Sequence, residues 1–254
     1  MIGKCILITG ATGAIGEALA CAYAAPGVML HLHGRNLAKL NEVAENCRKR
    51  GASVVPQALD VRDVPALRGW LERLCCDRVP DLMIVNAGMN TNVGPDGAGE
   101  PWSEAEAVLD INLRATMVMV DSVLPAMRRR GTGQIALVSS LAAYYGLPMT
   151  PSYCASKAGV KAYGEALRGW VADEGVRINV IMPGYVESTM CSEMPGPKPF
   201  LWQPERAARR IKRGLERNEP RISFPFPLNF GTWWLAVLPS GISQFLLRVL
   251  NYRA

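Results

Sequence analysis

Tyr153 and Lys157 stand four residues apart, and Ser140 lies thirteen residues before the tyrosine. A phenol gives up its proton only near pH 10 or so in water. It serves as an acid or base near neutrality when a positive charge sits beside it. Residues i and i+4 share a helix face, so Lys157 can supply that charge. Ser140 adds a hydroxyl able to hold a carbonyl oxygen. Such i,i+4 pairs are common on helices, so this one carries weight only through the elements that would position it.

Those elements begin at the N-terminus. Lys4 to Ile8 is a short apolar run, read as a buried parallel strand. It leads into Gly10, Ala11, Thr12, Gly13, Ala14, Ile15 and Gly16, and then into a good helix-forming stretch. Strand, glycine turn and helix together point free backbone N–H groups at a diphosphate. The pattern continues with strands expected at 4–9, 28–34, 53–59, 81–86, 134–139 and 176–182. Helices are expected at 14–25, 36–50, 63–76, 103–129 and 152–173. This alternation predicts an α/β fold, a doubly wound parallel sheet with right-handed crossovers. Ligands in such sheets bind at the carboxyl ends of strands. The glycine turn, Asp60, Asn86 and Ser140 all fall there.

With these motifs the chain resembles the short-chain dehydrogenase/reductase family, in its compact branch with a Rossmann fold. Thr9 to Gly16 stands at the family's TGxxxGxG site, Asp60-Val61 at its adenine-contacting position, and Asn86-Ala87-Gly88 after its fourth strand. Asn112, Ser140, Tyr153, Lys157 and Pro183-Gly184 follow in the family's order. The resemblance covers about residues 1 to 225. It implies a carbonyl reductase in which Tyr153 donates a proton and Ser140 polarises the carbonyl. Lys157 would lower the tyrosine pKa and bind the nicotinamide ribose, and Asn112 would hold a water linking Lys157 to solvent. Val186 and Ser188 complete the implied cofactor set, with Ser188 or Thr189 on the nicotinamide amide. Two positions depart from the pattern. Ala14 replaces the second family glycine, and Ser188 stands where Thr is frequent. Gly10, Gly13 and Gly16 also spell GxxGxxG, the spacing of the longer sugar-nucleotide branch. The Asn86-Ala-Gly motif, the Ser140–Tyr153 gap and the absence of a large C-terminal substrate domain favour the compact branch.

The second strand ends His33-Gly34-Arg35-Asn36. A carboxylate near this point would bond the ribose hydroxyls of NAD; none is present. Arg35 offers a guanidinium that can fork onto a 2′-phosphate, and the resemblance agrees. NADP(H) is therefore the expected cofactor.

The 254 residues suit one large domain, residues 1–221, with a substrate loop at 185–203. That loop contains Met190, Met194, Phe200, Leu201 and Trp202, and Pro195-Gly196-Pro197 reads as its hinge. The Gly/Pro/Asn-rich loop 89–101 is expected at the substrate entrance. The seven cysteines show no CxxC or metal spacing and the chain has two histidines, so reduced cytoplasmic thiols and no metal site are expected. Residues 222–254 form an unusual tail. Ile222 to Leu247 holds no charged residue but many aromatics, and the segment before it, 204–221, carries seven Lys/Arg and three acids of a chain with net charge +6. A basic segment beside an aromatic one suits a membrane surface, and Pro225, Pro227 and Pro239 oppose a spanning helix. A subunit interface and a lid over the substrate pocket are the competing readings, with 206–217 a solvated helix face. The local charge beside apolar sequence does not suit nucleic acid.

The sequence thus predicts an NADPH-dependent reductase of a small-molecule or lipid-linked ketone. The tail is similar to those of reductases in bacterial lipid or capsular-polysaccharide synthesis. By resemblance the chain forms a homodimer through helices 103–129 and 152–173. A sugar-nucleotide dehydrogenase or epimerase, and a non-enzymatic dinucleotide sensor, are the alternatives.

Overall fold

The computed structural model describes residues 3–94, 97–194, 196–250 and 252. Pro195, the first residue of the expected hinge, lies outside them, as do residues 95–96 of the loop 89–101. Among the described residues, seven strands form one parallel sheet in the order β3-β2-β1-β4-β5-β6-β7. They are β1 (Cys5–Ile8), β2 (Met29–Gly34), β3 (Ser53–Ala58), β4 (Leu82–Val85), β5 (Gly133–Val138), β6 (Val176–Pro183) and β7 (Arg221–Phe224). Six match expected strands; β7 is additional. The central strands β1, β4 and β5 are buried throughout, which is why they read as unbroken apolar runs.

Helices cover both faces. On one side α1 (Ala14–Tyr23), α2 (Leu37–Arg48) and α8 (Pro204–Glu216) pack Leu19, Leu40, Val43, Ile211 and Leu215 against the sheet. On the other, α3 (Val64–Asp77), α5 (Ala115–Arg130) and α6 (Pro151–Trp170) contribute Leu67, Leu71, Val123, Val160 and Leu167. The basic stretch 206–217 is therefore not only a solvated face. Ala207, Ala208, Ile211 and Leu215 of α8 are buried, and each large apolar side chain there contributes roughly 2 kcal/mol. Arg206, Arg209 and Arg213 take the outer side of the same helix.

The helix expected over 103–129 is α4 (Trp102–Leu109), a π turn at Asp110–Arg114, and α5. Extra-residue turns of this kind commonly accompany functional sites, and this one carries Asn112. A short α7 (Thr189–Glu193) forms within the loop 185–203. After β7 the tail folds into two ten-residue helices, α9 (Leu228–Val237) and α10 (Ser240–Val249). The strand β7 itself crosses the expected boundary at residue 221.

Candidate active site

The glycine turn is built by contact as much as by conformation. Gly10 has φ +64°, where an L side chain is strained. At Gly16 an added Cβ would stand 2.2 Å from the Gly10 carbonyl oxygen. Asn86, at the end of β4, locks this turn from below. Its Nδ2 donates to the carbonyls of Thr9 and Gly10 at 3.1 Å each, and its backbone N–H donates to Thr9 Oγ1 at 3.0 Å. The topological switch between β1 and β4 is thus tied shut beneath the turn.

Above this floor lies a cleft of about 880 Å³. It is lined by Gly10, Thr12, Gly13, Ala14 and Ile15, by Asn86, Ala87 and Gly88, and by Ser140, Tyr153 and Lys157. Pro183, Gly184, Val186 and Ser188 line it from the carboxyl end of β6, and Val61 from beyond β3. Gly16 lies beneath the turn rather than in the lining. Asp60 is also outside it, because its carboxylate is held by Arg62 in an ion pair of 2.6 Å. Ser188 Oγ accepts from Cys191 N at 3.1 Å and caps α7.

Arg35 is exposed at the cleft edge beside Lys39, one turn into α2. The helix is capped by Asn36, whose Oδ1 accepts from Lys39 N, so the Arg35 guanidinium is not used as a cap. Lys39 is a second cation that sequence reasoning passed over. Its spacing, four residues after Arg35, was the available signal.

Helix α6 presents Tyr153 and Lys157 to the cleft on one face. The carboxylate of Glu100 accepts from Ser152 N at 3.0 and 3.3 Å, fixing the start of this helix. Ser140 follows β5; its Oγ accepts from Ala142 N at 3.1 Å, and its side chain stands near enough to the Tyr153 phenol to favour the phenolate. Lys157 Nζ donates to Val138 O at 3.0 Å and stands 5.7 Å from the centre of the Tyr153 ring. Ser139 also borders the cleft, but its Oγ is committed to the Lys157 carbonyl, to which it donates at 2.7 Å.

The electrostatics differ from expectation. Burial pushes the Tyr153 phenol up to about 12, against a smaller opposing pull from the Ser140 side chain. Burial also lowers Lys157 to about 8. Lys157 therefore does not pull the tyrosine below its ordinary value here: its ammonium points at a backbone carbonyl, and desolvation dominates both groups. Asn112 is likewise committed. Its Oδ1 accepts from Met89 N at 2.9 Å, while Nδ2 donates to Met89 O at 2.9 Å and to Ser156 Oγ at 3.0 Å. Both amide donors are spent on fixing the chain after β4 against α6. A water relay could still use the remaining lone pair of Oδ1 or of the Asn112 main-chain carbonyl, which accepts from Thr116 Oγ1 at 2.7 Å.

The roof of the cleft is the tail. Leu228, Leu235, Leu238 and Leu247 line it, with Trp234 and Tyr252. Gly184 permits this approach, since a Cβ there would stand 3.0 Å from both Leu228 and Pro225. Tyr145 Oη donates to Ser240 O at 3.4 Å, and Tyr185 Oη donates to Tyr252 Oη at 3.1 Å. Of the readings open for the tail, the lid is the one its inner face adopts. Met190 and Met194 of the substrate loop line the cleft as well; Phe200 and Leu201 stay at the surface, and Trp202 stacks on Phe224 at 5.0 Å. Among the described residues of loop 89–101, Met89 reaches the lining while Glu100 and Val93 are drawn to the start of α6.

A dinucleotide-type floor with a tyrosine, lysine and serine at its centre defines an oxidoreductase of the Rossmann class. The short chain dehydrogenase family profile matches residues 4–197. An uncharacterized oxidoreductase of Myxococcus xanthus is 32% identical over 246 residues, covering 96% of each chain. The ketoacyl reductase HetN of Nostoc is 30% identical, over 74% of this chain and 66% of its own. A short-chain dehydrogenase of Sphingobium yanoikuyae, solved in complex with NADPH, superposes with TM-score 0.81 at 23% identity, over 96% and 95% of the two chains. The chain belongs to the short-chain dehydrogenase family.

Proposed function

We propose that the chain reduces a ketone to an alcohol with NADPH, on a substrate with a lipidic, acyl or lipid-linked apolar body. The observation that carries this reading is the composition of one continuous cleft. Its floor suits a dinucleotide, its centre holds Ser140, Tyr153 and Lys157, and its roof is the apolar tail. The residues fit the cofactor. Gly10 to Ile15 would hold the diphosphate at the N-terminus of α1, and Arg35 with Lys39 would meet a 2′-phosphate. The NADPH complex of the Sphingobium protein and the ketoacyl activity in the name of the Nostoc protein support the same choice.

Bound NADPH supplies the hydride. Tyr153, with its proton held firmly at neutral pH, donates it to the carbonyl oxygen. Ser140 donates a hydrogen bond to that oxygen and favours its developing charge. Lys157, in its protonated form and held on Val138 O, supplies a positive charge 5.7 Å from the ring centre of the phenolate left behind. Leu235 and Leu247 exclude water from above. Val61 and Ala87 with Gly88 complete the cofactor walls, and Pro183, Gly184, Val186 and Ser188 its far side. Exposed Trp102, Met117 and Trp170 on α4, α5 and α6 support a homodimer through these helices. The location that suits this reading is the cytoplasm, peripheral to a membrane face. The apolar roof counts against a sugar-nucleotide substrate.

The test is NADPH oxidation by the purified protein with long-chain ketones and β-ketoacyl esters, beside a sugar nucleotide. Turnover of the apolar ketones, abolished in Tyr153→Phe, is the expected result. Turnover of the sugar nucleotide alone would refute the substrate class.

A further inference from the structure

We infer that α9 and α10 form a docking surface for an anionic lipid bilayer and that the mouth of the cleft opens into it. Substrate then enters from lipid rather than from water. The inference rests on the proposed reading for its substrate, but not for the surface itself.

The two helices divide their residues cleanly. Along α9, Leu228, Gly231, Leu235 and Leu238 recur at helical spacing and face the cleft. Phe230, Trp233 and Val237 take the opposite side and are exposed, continuing the 78% exposed Phe226. On α10, Leu246 and Leu247 face inward, while Ile242, Phe245 and Val249 are exposed. Phe230, Trp233 and Trp234 form one aromatic cluster with ring centres 5.4 to 5.9 Å apart. A contiguous apolar surface of this kind marks an interaction site.

Three observations select lipid as the occupant. The patch holds tryptophan and phenylalanine on helices of ten residues, about 15 Å long, half of what a bilayer crossing needs. Neither helix can cross a bilayer, so contact with lipid would be at its surface. The charge is complementary to anionic headgroups. Residues 204–221 carry seven cations and three acids, and 222–254 carry two arginines and no acid, which accounts for the whole net charge of +6. Arg248 is exposed within α10, and the Arg206 guanidinium lies 4.1 Å over the Trp202 ring that stacks on Phe224, at the root of the tail. Finally, Trp234 and Leu250 both line the cleft and are 43% and 56% exposed. They form the rim of the mouth, and the mouth therefore lies within the aromatic surface.

The test uses the 254-residue chain and the double variant Trp233→Ser/Phe245→Ser, two residues outside the cleft lining. Vesicles of phosphatidylcholine, with and without phosphatidylglycerol, are sedimented with each protein. Wild type should co-sediment, more strongly with phosphatidylglycerol, and the variant should bind about tenfold more weakly or worse. Turnover of a short water-soluble ketone should be equal in the two proteins, whereas a long-chain ketone supplied in vesicles should react about tenfold more slowly with the variant at low concentration. A wild type that stays in solution with both vesicles overturns the inference. So does a variant that sediments like wild type. Lipid-free ultracentrifugation showing self-association that the variant abolishes would assign the patch to a second copy instead. Failure of both ketones to react would refute the proposed substrate class, and sedimentation would still decide the docking surface.

Discussion

Gly16→Ala gives the turn between β1 and α1 its sharpest test. The added methyl would lie 2.2 Å from Gly10 O, and 2.9 Å from both Ala11 Cα and Asn86 Nδ2. Two of these neighbours are backbone and cannot rotate away, so the turn must open by about 1 Å to reach ordinary contact. Overpacking of this size costs about 2 kcal/mol. Opening also strains the two Asn86 hydrogen bonds, worth about 1 kcal/mol each. Alanine regains about 1 kcal/mol of helix propensity in α1. The balance is a loss of about 3 kcal/mol, or roughly 6–12 °C in Tm for a chain of this size. Gly13→Ala is the control from the same motif. Its Cβ would meet only Gly10 O, at 3.4 Å, and its φ of −84° is open to any residue. It should melt within about 2 °C of wild type. Scanning calorimetry without nucleotide reads both. A Gly16→Ala protein melting at or above wild type, or the two variants falling together, would refute the reasoning.

Tyr153→Phe should lower kcat by about 10³-fold or more while leaving NADPH affinity within about twofold, by single-turnover and fluorescence titration; retained turnover would remove Tyr153 as the acid. Arg35→Ala combined with Lys39→Ala should weaken NADPH binding about 10–100-fold and leave NADH unchanged, since both cations meet only the extra phosphate; equal losses for the two nucleotides would contradict this. Burial holds the His33 imidazole down to about 4, so between pH 6.5 and 4 the unfolded chain binds a proton that the folded chain excludes. Stability should fall as pH falls through that window, by up to about 3 kcal/mol, and His33→Phe should flatten the decline in urea midpoints. An unchanged slope in the variant would show that another group causes it.

Much of the dinucleotide half was legible because its signals are local. Buried parallel strands read as apolar runs, and the glycine turn, Asn86 and Gly88 sit where such runs end. Tyr153 and Lys157 were legible as a spacing, but their pKa directions were not, because these depend on how deeply α6 is buried and on where the ammonium points. Asn112 was found as a residue, while its grip on Met89 follows from a π turn that has no sequence signature. The strand β7 escaped because it is four residues long, begins at exposed Arg221 and ends against prolines. The tail was the least readable. Ile222 to Leu247 holds no charged residue, and its few polar ones, such as Asn229, Thr232 and Ser243, mark no clear outer face in the sequence. Its division into cleft wall and outer surface appears only once the rest of the fold supplies the cleft. Lys39 and Glu100 were missed for the same reason: a lysine and a glutamate acquire meaning here from neighbours distant in sequence.

Because the roof follows the floor in the chain, the order of synthesis matters. Among the described residues, every strand of the sheet and the glycine turn precede residue 225, and the N-terminal part of a chain emerges first during synthesis. A nascent molecule can therefore complete its nucleotide floor while the hollow above it still lacks Leu235, Leu247 and Tyr252. During that interval the apolar walls contributed by Leu141 and Met190 are unroofed. Emergence of residues 228–252 thus becomes the step that closes the cleft, after the sheet beneath it is already in place.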